Sequence, residues 1–422
     1  MAMAMAEKSR NPDAALVKQT RSMDRPRKAL GLRIGGGILA AILSYAGVTF
    51  SLAQYLVTRD ASTAHTFAPY DGQITAGLAG SLMKADMTAS ERVRPRRLAL
   101  LALKQDPTAL GAATVLGVIA QFDGDIKTAR RWFSYSEKLS RRDVVTQMWA
   151  IEDAVQRGDV QEAVNHYDIM LRVKPGMAAM LFPILGKSSS EPAIRTALVK
   201  KLRQRPRWGE NFINFMSVGG IDPSITVLLF RELALNHIPV PQVTQARTID
   251  ALASAGQFDR AWDYYALNHP GVARQRVRDG NFDNVTNSPS LFDWSLINDG
   301  KINTSIQEDS GRNVFGYTAS GSIESVMLRQ SEMLPAGRYV FKSRGKYSNS
   351  GTANVYWSVA CLDGKQIARI EGQQESAGFV FSDAFDVPKD CPIQVLSLVA
   401  RPTDRITGFS GQIQEVELAP AR

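Results

Sequence analysis

Cysteine is nearly missing from this chain, with Cys361 and Cys391 the only two among 422 residues. So few thiols exclude a small disulfide-stapled scaffold, and no CxxC pair is present for a zinc site. In an oxidising compartment the two could bridge, closing a loop of about 30 residues worth roughly 3–4 kcal/mol in the chain-entropy model. Two buried free thiols are the alternative. Histidine is also sparse: His65, His166, His237 and His269 have no paired spacing that a metal could use. No GxSxG, HExxH, P-loop or dinucleotide-binding glycine pattern stands in the right context. Gly35-Gly36-Gly37 lies at the start of an apolar stretch, where backbone packing explains it. The sequence therefore offers no catalytic and no cofactor-binding residue, and the chain is not expected to be an enzyme. Asp283, Asp293 and Asp299 cluster near the start of the C-terminal part. Turn and strand-end roles or a structural calcium suit them better than the paired carboxylates of a glycan hydrolase.

Charge is missing from one long stretch, since Ile34 to Thr58 contains no Asp, Glu, Lys or Arg. About 25 helical residues at ~1.5 Å each extend roughly 37 Å, enough to cross a ~30 Å hydrocarbon core with a modest tilt. Lys8, Arg10, Lys18, Arg21, Arg25, Arg27, Lys28 and Arg33 precede it, against Glu7, Asp13 and Asp24. That basic flank stays in the cytoplasm, so the rest of the chain is expected outside, in a bacterial periplasm, behind a single-pass inner-membrane anchor. Ser51-Leu52-Ala53 offers the small residues of a processing site. The leading region is long for a cleaved signal, however, and the apolar stretch continues past that point, so a retained anchor is expected. The tail accounts for five of the nine excess positive charges. What remains is only mildly basic, and no nucleic-acid partner is expected.

After a polar linker over 59–73, residues 74–270 read as helix after helix. They repeat at a spacing of 34: Gly124-Asp125 returns as Gly158-Asp159, Ala129 as Ala163, and Phe133 as Tyr167, while Pro107 and Pro175 are two periods apart. Each unit reads as helix, Gly-Asp turn, helix, with a small residue one turn before an aromatic. A further match stands at Gly256, Ala261 and Tyr265. Helices over Glu191–Arg203, Arg207–Met216 and Pro223–Asn236 fill the interval. The pattern resembles the tetratricopeptide repeat, whose turn glycine, small contact, helix-B aromatic and closing proline fall on these positions. Its first-helix signature is mostly absent, with Leu116-Gly117 in agreement. The resemblance implies an α-solenoid that holds a protein partner. Basic clusters recur on these helices: Arg92, Arg94, Arg96 and Arg97; Arg130, Arg131, Lys138, Arg141 and Arg142; Lys200, Lys201, Arg203, Arg205 and Arg207. Acidic glycan or phospholipid headgroups would suit them, but the interleaved Glu137, Asp143, Glu152 and Asp153 favour solvated helix faces.

Over 274–420 the texture changes to short alternating runs punctuated by Gly, Asn, Ser and Asp. Tyr339 and Phe341 against Val340 and Lys342 show the period of two, as do Val355, Trp357 and Val359. Eight or nine strands predict a two-sheet sandwich. Asp279-Gly280-Asn281-Phe282-Asp283 with Phe292-Asp293-Trp294, then Leu334-Pro335-Ala336-Gly337-Arg338-Tyr339, then Gly411 to Leu418 are similar, in that order, to jelly-roll carbohydrate-binding modules. That likeness implies sugar contact through exposed aromatic faces, for which Tyr317, Tyr347, Tyr356, Trp357 and Phe379 are the candidates. Tyr347 adjoins a Ser348-Asn349-Ser350-Gly351 loop, whereas Trp294 and Trp357 also suit a core.

The expected architecture is multidomain α + β: basic tail (1–33), transmembrane helix (34–58), linker (59–73), helical repeats (74–270) and β-sandwich (274–420). The layout resembles bacterial envelope proteins, some of which accompany exopolysaccharide assembly. It implies a non-catalytic scaffold that recruits an envelope protein and touches polysaccharide. A carbohydrate-binding module on a helical spacer is the rival reading.

Overall fold

The computed structural model describes residues 13–320, 324–347, 354–376, 378–402 and 408–421, with the backbone alone described for 13–32. Among the described residues fourteen α-helices precede ten β-strands. The chain divides between Arg157 and Gly158 into two compact units.

The first unit holds α1 (Asp13–Leu56), α2 (Ala61–Phe67), α3 (Gly72–Ser81), α4 (Val93–Gln105), α5 (Leu110–Phe122), α6 (Ile126–Leu139) and α7 (Val144–Gln156). The stretch Arg33–Leu56 of α1 is long and apolar enough to cross a membrane, and its side chains from Ile34 to Gly47 are exposed. Its last turns are covered on one side. Ala53 is fully buried with Ala64 and Ile74, and Leu56, Val57 and Ala68 pack around them. A Val57 methyl group occupies the place that a Cβ on Gly77 would take. The linker expected over 59–73 is partly helical, because Asp60 caps α2 by accepting the Thr63 N–H at 3.0 Å and Asp71 caps α3 through Gln73 and Ile74. Aspartate does the same for α6 (Asp125 to Thr128) and α7 (Asp143 to Thr146). Gly124 turns the chain between α5 and α6 with φ +76°, and buried Ala129 lets the two helices close. Phe133 then packs on Gly117 and stacks on Trp149, ring centroids 4.5 Å apart.

The second unit opens with α8 (Val160–Val173), followed by α9 (Ala178–Ser188), α10 (Pro192–Leu202), α11 (Gly209–Val218), α12 (Pro223–Leu235), α13 (Gln242–Ser254) and α14 (Phe258–Asn268). Gly158 and Gly256 both take φ +72°, Ala163 and Ala261 are buried, and Tyr167 is half-buried where Tyr265 is buried. Pro175 opens a single 3-10 turn, Pro175–Met177, after α8. Inside the helices the Asp168 carboxylate accepts from Trp208 Nε1 (3.0 Å) and pairs with Arg172 and Lys201.

The strands are β1 (Ser295–Leu296), β2 (Ile302–Asp309), β3 (Arg312–Ala319), β4 (Ser325–Glu332), β5 (Gly337–Tyr347), β6 (Val355–Cys361), β7 (Gln366–Glu375), β8 (Gly378–Val387), β9 (Gln394–Ala400) and β10 (Phe409–Pro420). All pair antiparallel, in the order β1-β4-β9-β6-β7-β8-β5-β10-β3-β2. The first part of β7 pairs with β6 as far as Glu371, and from Gly372 it pairs with β8. The strand thus carries the ladder from one layer to the other around a shared core that includes Trp294, Phe315, Phe341, Trp357, Phe381 and Ile413. Cys361, at the end of β6, and Cys391, before β9, form a disulfide with Cα atoms 5.5 Å apart.

Candidate functional site

The aromatic side chains named as sugar platforms do not form one. Tyr317, Trp357 and Phe379 are buried in the sandwich core, because the period of two that made them visible turns them inward. Tyr347 is half-buried and packs on Phe379 with ring centroids 4.5 Å apart. Its neighbours Ser348 to Gly351 lie outside the described residues. Tyr356 points away from the core, but its ring is covered by Arg369 at 3.8 Å and Arg401 at 5.2 Å, leaving 7% of the residue exposed. Its hydroxyl donates to Glu324 at 2.5 Å. Along the solvent side of central strand β5 stand Arg338, Val340, Lys342, Arg344 and Lys346, with no ring among them.

The polar concavity lies elsewhere, where α13 and α14 meet the segment 269–294 that leads into the sheet. It is a cleft of ≈ 760 Å³, lined by Gln242, Tyr265, Asn268, His269, Asp279, Asn284, Thr286, Asn287, Ser288 and Asp293 among others. Beneath it, aromatic residues from the helix and the segment interlock. Trp262 meets Phe292 edge-on at 5.4 Å, and Tyr265 lies 5.3 Å from Phe292. The Arg278 guanidinium covers Trp262, Phe292 and Tyr265 at 5.3, 5.6 and 5.9 Å. Each of its three nitrogens donates once, to the Phe292 carbonyl (2.9 Å), the Glu332 carboxylate (2.8 Å) and the Ser331 carbonyl. A buried guanidinium needs such acceptors to offset its lost hydration. Glu332 is so deeply buried that its pKa is pushed up to about 7 even with Arg278 beside it.

Two carboxylates border the cleft, and both hold the backbone in place. Asp293 accepts the Tyr265 hydroxyl (2.9 Å) on one oxygen and the N–H and hydroxyl of Ser290 on the other. Asp279 accepts the N–H of Asp283 on one oxygen and of Asn284 on the other. Burial raises its pKa, and it raises that of Asp250, which accepts the Leu291 N–H at 2.8 Å from the other side of the same segment. Burial raises the Tyr265 hydroxyl in the same way, so the tyrosine stays protonated and donates. Asp279 and Phe282 adopt φ +50° and +60°, left-handed values uncommon outside glycine, and Trp294 Nε1 donates to the Asp279 carbonyl. Phe282 and Trp294 are themselves core residues. The Asp279–Asp283 and Phe292–Trp294 motifs therefore plug the sandwich and at the same time shape the cleft. His269 stacks on Tyr265 at 4.1 Å, and its Nδ1 donates to the Tyr265 carbonyl.

Asp283 lies 3.3 Å from the Asn313 amide, and Asp299 accepts the N–H groups of Lys301 and Ile302. Asp283, Asp293 and Asp299 thus serve separate turns. Among the described residues no three His, Cys, Asp or Glu side chains gather as a metal site.

No protein-family model matches the chain. No curated protein matches it. Among solved structures it is similar to one titled "CBM4 structure and function", at 13% identity over 34% of this chain and 99% of that one, with a TM-score of 0.27. It is also similar to the CBM22-1 xylan-binding domain from Paenibacillus barcinonensis Xyn10C, at 12% identity over 35% and 95%, with a TM-score of 0.25. A third is TmCBM61 in complex with beta-1,4-galactotriose, at 13% identity over 36% and 97%, with a TM-score of 0.24.

Proposed function

We propose that this chain is a non-catalytic binding protein of the bacterial cell envelope, anchored in the inner membrane by α1 with its tail in the cytoplasm and both units in the periplasm. The cleft beside α14 takes a stretch of polysaccharide. That cleft carries the reading: its volume falls in the range of ligand sites, and its rim of amides and hydroxyls (Gln242, Asn268, Asn284, Thr286, Asn287, Ser288) suits a ligand rich in hydroxyl groups. Catalysis is not assigned: the two carboxylates at the cleft, Asp279 and Asp293, hold backbone N–H groups and the Tyr265 hydroxyl. The basic flank before the uncharged run that begins at Ile34 supports the orientation. The recurring turns at Gly124, Gly158 and Gly256 support a tetratricopeptide-like stack that holds an envelope protein partner, with polysaccharide assembly or export as the setting. In affinity electrophoresis of the detergent-solubilised full chain through acidic or neutral polysaccharide, we expect retardation by at least one polymer and its loss in the Asn284→Ala/Asn287→Ala double variant. Unretarded migration in every polymer tried contradicts the reading.

A further inference from the structure

One group of cations has no part in that reading. On α4, Arg92 and Arg96 pair with Asp123. Arg94, Arg97 and Lys104 form no ion pair among the described residues, and α4 contains no acid. Val93, Arg97, Leu100 and Lys104 fall at helical spacing on one exposed face, with Arg94 and Leu101 at its border. Three exposed aliphatic side chains therefore alternate with three unpaired positive charges.

The position of α4 is fixed by contacts that its opposite side makes within the unit. The end of α4 presses on the start of α3, where a Cβ on Gly72 would stand 2.5 Å from the Asp106 Cβ and 2.8 Å from the Ala102 carbonyl. Gln105 Nε2 donates to the Pro69 carbonyl at 2.9 Å. Two residues after Gly72, Ile74 is buried against Ala53, inside the uncharged run of α1. The C-terminal end of α4 thus lies one helix away from the apolar stretch. The segment between them carries Tyr70, 90% exposed, and a partly exposed Phe67, residue types that favour the headgroup layer.

We infer that this face of α4, with Tyr70 and Phe67, rests on the anionic phospholipid headgroups of the bilayer that α1 crosses. The inference rests on the membrane reading of α1. Its chemistry is the ordinary one of interfacial helices: apolar side chains enter the acyl boundary while Arg and Lys reach phosphate.

The test uses the full chain with Leu101→Cys carrying a polarity-sensitive dye, since Cys361 and Cys391 are bonded to each other. It is reconstituted into vesicles of phosphatidylcholine alone or of phosphatidylcholine mixed with phosphatidylglycerol. A dye at Val155→Cys, an exposed position on α7, is the control. We expect a blue shift and quenching by brominated lipid at position 101 in the mixed vesicles, reversed by salt and lost in Arg94→Gln/Arg97→Gln/Lys104→Gln, with position 155 unchanged. Identical spectra in the two lipids overturn the headgroup contact, and so does a shift produced by dextran sulfate in the absence of anionic lipid. A chain that enters neither bilayer overturns the anchor as well, which separates that failure from this one.

Discussion

At the scale of single residues, the most informative group is Glu332. Its carboxylate is buried with Arg278, and burial outweighs the cation, so the pKa rises from 4.5 to about 7. The folded chain therefore holds a proton that the unfolded chain gives up between those values. Its contribution is most favourable below about pH 4.5, falls as pH rises to about 7, and is constant above, a span on the order of 3 kcal/mol at most. Asp250 and Asp279 shift in the same direction, while Asp153 and Asp168, held down by hydrogen bonds and arginines, act oppositely at lower pH. Glu332→Gln should flatten the loss of stability across pH 4.5–7 in denaturant melts, and an unchanged slope would refute the assignment. None of this was legible in the sequence, where Glu332 reads as an ordinary residue in an alternating strand. The sugar platforms failed for a related reason. Alternation tells which residues share a face, but which face is the core depends on the pairing of distant strands.

Among elements, the legible ones were those with strong local signals. The helices Pro192–Leu202, Gly209–Val218 and Pro223–Leu235 fall within a few residues of the spans expected from sequence. The glycines at 124, 158 and 256, expected in turns between helices, share a left-handed backbone. Strand β7 was missed because Gln366–Glu375 buries only Ile370 fully and carries almost no hydrophobic pattern; its ladder partners define it. The last turns of α1 also take part in the packing of the helical unit. Gly77→Val would collide with Val57 and should cost about 1–3 kcal/mol by overpacking, read as a lower melting temperature and faster proteolysis near Asp60–Asp71. Because Ala53 is part of that packing, cleavage after Ser51-Leu52-Ala53 would remove a core residue. Mass measurement of the product from cells should find the residues before Ala53 still attached. Replacing both Cys361 and Cys391 by Ala should cost roughly 3–4 kcal/mol, read from denaturant midpoints.

For the whole molecule, the order of helices before strands was readable from composition and period. The cleft was not, because it is made where α13 and α14 meet residues 269–294, and no local pattern announces a meeting of segments. Its residues were visible only singly, Tyr265 as a repeat aromatic and Asp279 and Asp293 as parts of a sandwich motif. The account depends most on the placement of the two units relative to a bilayer. The direct measurement is external protease applied to spheroplasts producing the chain tagged at both ends. The account predicts that the C-terminal tag is destroyed while the N-terminal tag survives on a short membrane-bound fragment. Protection of both tags, or recovery of the untreated chain in the soluble fraction, would contradict it.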